Sequence, residues 1–266
     1  MSNKYSIMTF NTRYNTKEDG PYRLKYRFEY IAEYLSGDVA DVIGFQEVEE
    51  GTQRKLREVL ADKYLVLGCG RLKNFSDESS CIAFRRDKFE LLSYETFWLS
   101  PTPGLGNSTP ADVFPGRVCT SVCLIPTDRE KGADATPFRV YNTHLFHTPD
   151  ERLRTYGIYV ILERMRRDSM DAKYPIVFMG DLNSTPDSVP VQAIAEYAPI
   201  KLIDATADVG YTYHEYENEN LEKTKIDYIF TDAKVVEGSV EKITCRRESD
   251  GMFLSDHYPI RLEIEL

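Results

Sequence analysis

The sequence predicts an α/β protein, and three observations carry that prediction. Short apolar runs of strand type interleave with amphipathic helical runs from one end of the chain to the other. No internal repeat, heptad run, low-complexity tract or Gly/Ser/Pro-rich linker interrupts them. The length, 266 residues, suffices for an extensive core, and residues 1–266 are expected to form one domain.

The elements follow in order. Residues 5–10 alternate as a buried-type strand, and Leu24, Phe28, Ile31 and Leu35 recur at 4, 3 and 4, one face of a helix. Residues 39–45 form a short apolar strand. Leu56, Val59 and Leu60 suit a helix ahead of a strand at 64–67. Extended segments are expected at 81–84, 89–99, 118–125 and 138–145. Residues 151–170 read as an amphipathic helix with Leu153, Tyr156, Val160 and Met165 inward. A strand at 175–179, a helix at 189–197 and strands at 225–230, 235–243 and 258–266 complete the chain. Two irregular stretches stand apart. Residues 100–116 hold four prolines and three glycines, and 210–223 are rich in Tyr, Glu and Asn. Each either borders a substrate site or is a solvated surface loop.

Composition narrows the function. Hydrophobic residues make up 42% and charged residues 29%, a globular balance that excludes disorder. No apolar run approaches the ~20 residues that cross a bilayer, so no stable membrane association is expected. The first eight residues contain no apolar signal-peptide region. The five cysteines (Cys69, Cys81, Cys119, Cys123, Cys245) are odd in number and widely spread. A cytoplasmic protein with reduced thiols is expected, since a zinc site needs denser Cys/His spacing. With 33 basic against 43 acidic side chains the formal charge is −10, so the chain lacks the basic signature of a long-duplex binder. Small or end-bound substrates come first.

The informative polar residues fall where apolar strands stop. Asn11 ends the first strand, Glu47 follows 42–46, and His144 closes 138–143. Asp181 and Asn183 follow 176–180, Asp227 opens 228–230, and Asp256 and His257 precede the last strand. Strand ends of a rigid sheet hold side chains in fixed places, as an active site requires. Carboxylates and amide oxygens suit Mg²⁺ or Mn²⁺, whereas zinc favours more His or Cys. Asp181 and Asn183 are two apart, so an extended backbone points both to one side, one to activate water and one to orient it. The histidines suit donation to a phosphoryl group gaining charge.

Six segments carry a resemblance: Thr9-Phe10-Asn11-Thr12-Arg13, Gln46-Glu47-Val48, Asn142-Thr143-His144-Leu145, Gly180-Asp181-Leu182-Asn183-Ser184, Ile226-Asp227-Tyr228-Ile229 and Ser255-Asp256-His257. In this order they resemble the successive motifs of the endonuclease/exonuclease/phosphatase superfamily, the deoxyribonuclease I-like group. Singly each is weak; six in sequence are strong. Residues 85–92 and 97–103 further resemble compact bacterial members of unassigned substrate.

The resemblance implies a four-layer αββα sandwich, two mixed β-sheets packed face to face with helices outside and the site at one rim. It implies Glu47 as the main metal ligand, with Asn11 and Asp256 completing the metal shell, partly through water. Asp181 would deprotonate the attacking water, and Asn183 would hold water or phosphate beside it. His257 and His144 would contact phosphoryl oxygens on either side of the scissile bond. Each such histidine has a carboxylate partner that favours its charged form. Asp227 matches the partner of His257, and Glu78 stands where that of His144 is expected. His214, in Thr212-Tyr213-His214, resembles a Thr-Phe-His segment and is expected at the substrate.

Plainer readings stand beside these. Asn11 and Asp227 also suit strand caps, Glu47 a surface carboxylate, and 181–186 an ordinary turn. Arg13 and Arg117 either hold phosphate or make structural salt bridges. His147 reads as a loop residue. Trp98, Tyr211, Tyr213 and Tyr216 either stack on a base or sugar or simply pack. Thr155, residues 110–115 and Tyr213 depart from the bacterial pattern, which bears on substrate and not on catalysis.

The expected function is a Mg²⁺-dependent phosphoesterase, with Mn²⁺ as the other candidate ion. It would cleave a phosphodiester or phosphomonoester by in-line attack of water, without an obligate protein partner. The substrate is expected to be a phosphorylated small molecule, a nucleotide or a nucleic-acid end. The alternative is a catalytically silent phosphate- or nucleic-acid-binding module of the same fold, which should have lost at least one of these groups.

Overall fold

A computed structural model describes residues 4–110, 113–127 and 135–266. The first three residues, two of the 100–116 stretch (111–112) and 128–134 lie outside the described residues. Strands β1 (Lys4–Asn11), β2 (Val42–Gln46), β3 (Tyr64–Leu67) and β4 (Ile82–Arg85) share a sheet with three late strands: β11 (Lys234–Val235), β12 (Glu241–Lys242) and β13 (Ile260–Glu265). Its order is β11-β13-β1-β2-β4-β3, with β12 also on β13. The second sheet uses β5 (Phe89–Trp98), β6 (Val118–Pro126), β7 (Phe138–His144), β8 (Ile176–Asp181), β9 (Ile203–Asp204) and β10 (Asp227–Thr231). Its order is β5-β6-β7-β8-β10-β9. Both sheets are mixed: β1–β2 and β7–β8 are parallel and the other pairings antiparallel.

Alternation along each strand sorts side chains into layers. In β1, Tyr5 and Ile7 face the other sheet, while Met8 and Phe10 pack under helices α1 (Leu24–Ser36) and α2 (Glu50–Val59). In β8, Val177 and Met179 face inward, and Ile176 and Phe178 pack under α3 (Glu151–Asp171) and α4 (Val189–Tyr197). The architecture is the αββα sandwich. Each fully buried Ile, Leu or Phe of these layers contributes roughly 2 kcal/mol.

Three sequence expectations need correction. In α3, Leu153, Tyr156 and Val160 are only partly buried, and the inward stripe is Ile158, Ile161, Leu162 and Met165. The cause is Gly157, where a Cβ would stand 3.1 Å from Leu99 and 3.2 Å from Leu145; the helix docks on its glycine face. Val59 is 39% exposed, because Leu56 and Leu60 take the buried face of α2. The single strand expected at 235–243 is broken into β11 and β12 by a turn at Gly238 (φ 73°).

Gly180 is a strand residue with φ 142°, and a Cβ there would stand 2.0 Å from Thr143 O on β7. Gly180→Ala is expected to destabilise by about 3 kcal/mol or more, a loss of roughly 6–12 °C in Tm by thermal melting. No helix among the described residues is long and apolar enough to cross a membrane. The five cysteines are free thiols.

Candidate active site

The parity of each central strand decides what reaches the rim. Asn11 continues the inward series of Tyr5 and Ile7, and Gln46 that of Val42. His144 continues Phe138 and Val140, Asp181 continues Val177 and Met179, and Asp227 shares the face of Ile229. Polar residues at inward positions thus converge from both sheets. Just below them, Gln46 Nε2 donates to Asn142 Oδ1 at 2.7 Å, and Asn142 Nδ2 donates to Phe45 O and Cys81 O at 2.9 Å. These buried amides tie the two sheets together at the level between apolar core and site, with Gln46 Oε1 left without a hydrogen-bond partner among the described residues. Above lies a cleft of about 790 Å³ whose lining includes Arg13, Glu47, Glu78, Arg117, His144, Asp181, Asn183 and His257.

The chain turns sharply as it leaves three of these strands. Arg13, Glu47 and Asn183 have φ of 55°, 57° and 47°, a left-handed conformation that costs a non-glycine residue about 1–2 kcal/mol. Such strain collects at functional sites. It also corrects the expected extended pairing of Asp181 and Asn183. They meet because the turn brings Asn183 N–H to Asp181 Oδ1 at 2.9 Å.

Asn11 Nδ2 donates to Glu47 Oε1 at 3.0 Å and to Asp181 Oδ2 at 2.9 Å, and Tyr14 N–H donates to Glu47 Oε2 at 3.0 Å. Glu47, Asp181 and His257 each offer a ligand atom within 4.8 Å of the others, the one such group among the described residues. Burial and then the Asp227 charge push the Asp181 carboxyl up to about 7, with His257 opposing.

The two histidines are held differently. His257 Nδ1 lies 2.8 Å from Asp227 Oδ2, an oxygen that also accepts from Thr212 Oγ1 at 2.6 Å. The proton therefore sits on Nδ1, and Nε2 stands 3.8 Å from Asp181 Oδ2. Burial pulls the ring down, but Asp227, Asp256 and Asp181 outweigh it and raise it to about 10. His144 has Arg117 Nη1 at 3.0 Å from Nδ1 and Asn183 Nδ2 at 2.9 Å from Nε2. Both neighbours are donors, and a neutral ring with one N–H accepts from only one of them. Burial, then Arg117 and Arg71, hold His144 well below the ordinary histidine range.

The profile of the Endonuclease/Exonuclease/phosphatase family matches residues 8–257. The chain belongs to this family. Membership supports hydrolysis of phosphoester bonds with a divalent metal. An endonuclease/exonuclease/phosphatase from Bacteroides vulgatus is 27% identical, with a TM-score of 0.85 over 99% of each chain. The mannosyl-6-phosphatase of Bacteroides thetaiotaomicron shares the fold at 22% identity, with a TM-score of 0.80 over 97% of this chain and 98% of its own. Human 2',5'-phosphodiesterase 12 is 26% identical over 189 residues, 63% of this chain; the chain spans about a third of that protein (30%).

Several expected members of the site have further partners, and His214 lies outside the cleft. Asn11 turns its NH₂ to the two acids and its Oδ1 to Arg13 N–H at 2.9 Å, so it ties the two carboxylates together. Asp256 lies outside the three-residue group, its Oδ2 3.5 Å from Arg13 Nε and its Oδ1 accepting from Ser255 Oγ at 3.0 Å. Glu78 is 3.9 Å from His144 Nδ1, but Arg71 grips it bidentately at 2.9 and 3.1 Å and Arg117 stands at 3.4 Å. Glu78 therefore acts on His144 across an arginine, and burial with Arg117 and Arg71 disfavours the charged ring that the resemblance implies. His214 is 1% exposed, stacked 3.8 Å from Tyr258, with Nδ1 accepting from Glu217 N–H; it does not line the cleft. Burial, then His257, lower it to about 3.

Arg13 and Arg117 line the cleft and make salt bridges there with Asp19 and Glu78. Both irregular stretches border the cleft, through residues 113–115 and Tyr213, and His147 joins them from the loop before α3. Trp98 packs, its Nε1 donating to Arg71 O at 2.6 Å. Arg71 and Phe146 are cleft residues that the sequence did not disclose; neither ends a strand, and no motif marks them.

Proposed function

We propose that the chain is a Mg²⁺- or Mn²⁺-dependent phosphoesterase whose 266 residues act as one catalytic domain. The observation that carries this is the meeting of Glu47, Asp181 and His257 from opposite sheets with ligand atoms within 4.8 Å. Two carboxylates with little soft or nitrogen competition fit a hard divalent ion. Glu47 would hold that ion with Asp181 beside it, and when bound it would supply Lewis-acid stabilisation to phosphoryl and leaving oxygens.

The chain's own groups do the rest. Asn183 N–H and Asn11 Nδ2 orient the two oxygens of Asp181, which takes the proton of the attacking water. His257, with Nδ1–H committed to Asp227, turns Nε2 toward the phosphoryl group and donates as charge builds. Arg117 and Arg13 meet phosphate charge from the cleft walls, and His144 faces the same group from the far side. The formal charge of −10 favours a phosphorylated small molecule, a nucleotide or a nucleic-acid end over long duplex DNA.

The purified protein is expected to release nitrophenol from p-nitrophenyl phosphate or bis-p-nitrophenyl phosphate in Mg²⁺ or Mn²⁺, and EDTA is expected to stop it. No release from these or from a panel of natural mono- and diesters would favour the silent binding module.

A further inference from the structure

Residues 215–217 are three consecutive non-glycine residues in the left-handed region, with φ of 42°, 56° and 61°. L-residues visit that region singly, so a run of three is strained and needs outside support. The support is built around it. His214 Nδ1 accepts from Glu217 N–H at 3.1 Å, and Asn218 Nδ2 donates to Glu215 Oε2 at 3.1 Å. The Glu217 carboxylate accepts from Lys223 Nζ and Tyr258 OH.

What the turn delivers is Tyr216. Its ring stacks on Tyr22 at 4.5 Å and 15°, and its hydroxyl donates to Asp19 Oδ2 at 3.1 Å. The Asp19 side chain, 5% exposed, accepts from Arg13 Nε at 3.3 Å and from Arg13 Nη2 at 3.1 Å. Asp256 stands 3.5 Å from Nε. Arg13 lines the cleft, and among the described residues no protein acceptor takes its Nη1.

We propose that Asp19 and Tyr216 are positioning residues that lock the Arg13 guanidinium against the cleft wall to grip the substrate's phosphate, and that the strained turn is kept for this reach. The proposal rests on the phosphoesterase reading of the same cleft. A loose arginine gives up rotamer freedom each time it grips an anion, and anchoring it beforehand removes that cost. A preset cation holds ground and transition states alike, so its loss appears in KM and not in kcat.

The test is a double-mutant cycle. Tyr216→Phe, which keeps the stacked ring, is expected to raise KM for the best phosphoester about threefold to tenfold with kcat within about twofold. Arg13→Ala is expected to raise KM about tenfold or more, and adding Tyr216→Phe to it should change nothing further. Asp19→Asn should follow Tyr216→Phe. The same cycle read as the Kd for inorganic phosphate, by calorimetry in Mg²⁺, tests the arm without turnover. An equal effect of Tyr216→Phe with and without Arg13, or an effect confined to kcat and Tm, would make the turn a structural brace and overturn the proposal. An inactive wild type with coupled phosphate affinities would refute the hydrolase reading and keep the arm. Neither turnover nor phosphate binding would overturn both.

Discussion

Asp181→Asn is expected to lower kcat on any competent phosphoester by about 10²–10⁴-fold, with Tm within a few degrees of wild type. Fixed groups surround this carboxylate: Asn11 Nδ2 and Asn183 N at 2.9 Å, His144 Nε2 at 3.6 Å and His257 Nε2 at 3.8 Å. Asparagine keeps the shape and the acceptor for Asn183 N–H but takes no proton from water. The group works only when ionised, so activity should climb as pH rises through its pKa, which burial and Asp227 push up to about 7. A neighbouring divalent cation favours the ionised form, so more Mg²⁺ should move the rising limb to lower pH. Rate–pH profiles at two Mg²⁺ concentrations, with a melt of each variant, check this. Near-wild-type turnover in the purified variant would remove Asp181 from the mechanism.

Asp227→Asn is expected to cost about 10–10³-fold in kcat near neutral pH and to change the profile from the other side. His257 donates only while protonated, below its own pKa, so activity falls as pH rises past that value. Burial works against the charged ring, and Asp227 is the first of the carboxylates that raise it to about 10. Removing that charge should move the falling limb to lower pH by roughly one to three units. Thr212, which donates to the same carboxylate oxygen as His257, offers a control. Thr212→Val, which keeps the Asp227 charge and removes a competing donor from that oxygen, should leave the limb in place or move it slightly to higher pH. An unmoved limb in Asp227→Asn would show that His257 is not the titrating donor.

Most of the fold was legible because the central strands of this sandwich are buried on both faces and helices on one. Apolar runs such as 176–179 and the stripe from Leu24 to Leu35 have few other solutions. The face of α3 was not legible, because periodicity reads a helix through its large side chains while the docking point is Gly157. The gathered residues of the site were legible as polar groups at strand ends; Asn11, His144, Asp181 and Asp227 lie on the inward parity, whereas Glu47 and Asn183 reach the site through left-handed turns just past the strands. That pattern says nothing about whether a neighbour intervenes. Arg117 between Glu78 and His144, the fold of Asp256 onto Arg13, and the stacking of His214 under Tyr258 all depend on tertiary neighbours distant in sequence.

Glu47 follows the end of one sheet and Asp181 ends the other, so their separation is a reading of interior thickness. Gly44 acts as the caliper one turn of pleat below them. A methyl group there would fall 2.6 Å from Met179 Cε and 2.7 Å from Asn142 Oδ1. A bulkier residue at that spot would wedge the layers apart and draw the two acids out of common reach while leaving each chemically intact. In this architecture an uncharged atom that is missing from the middle of the molecule sets the bite of the charged jaws at its edge.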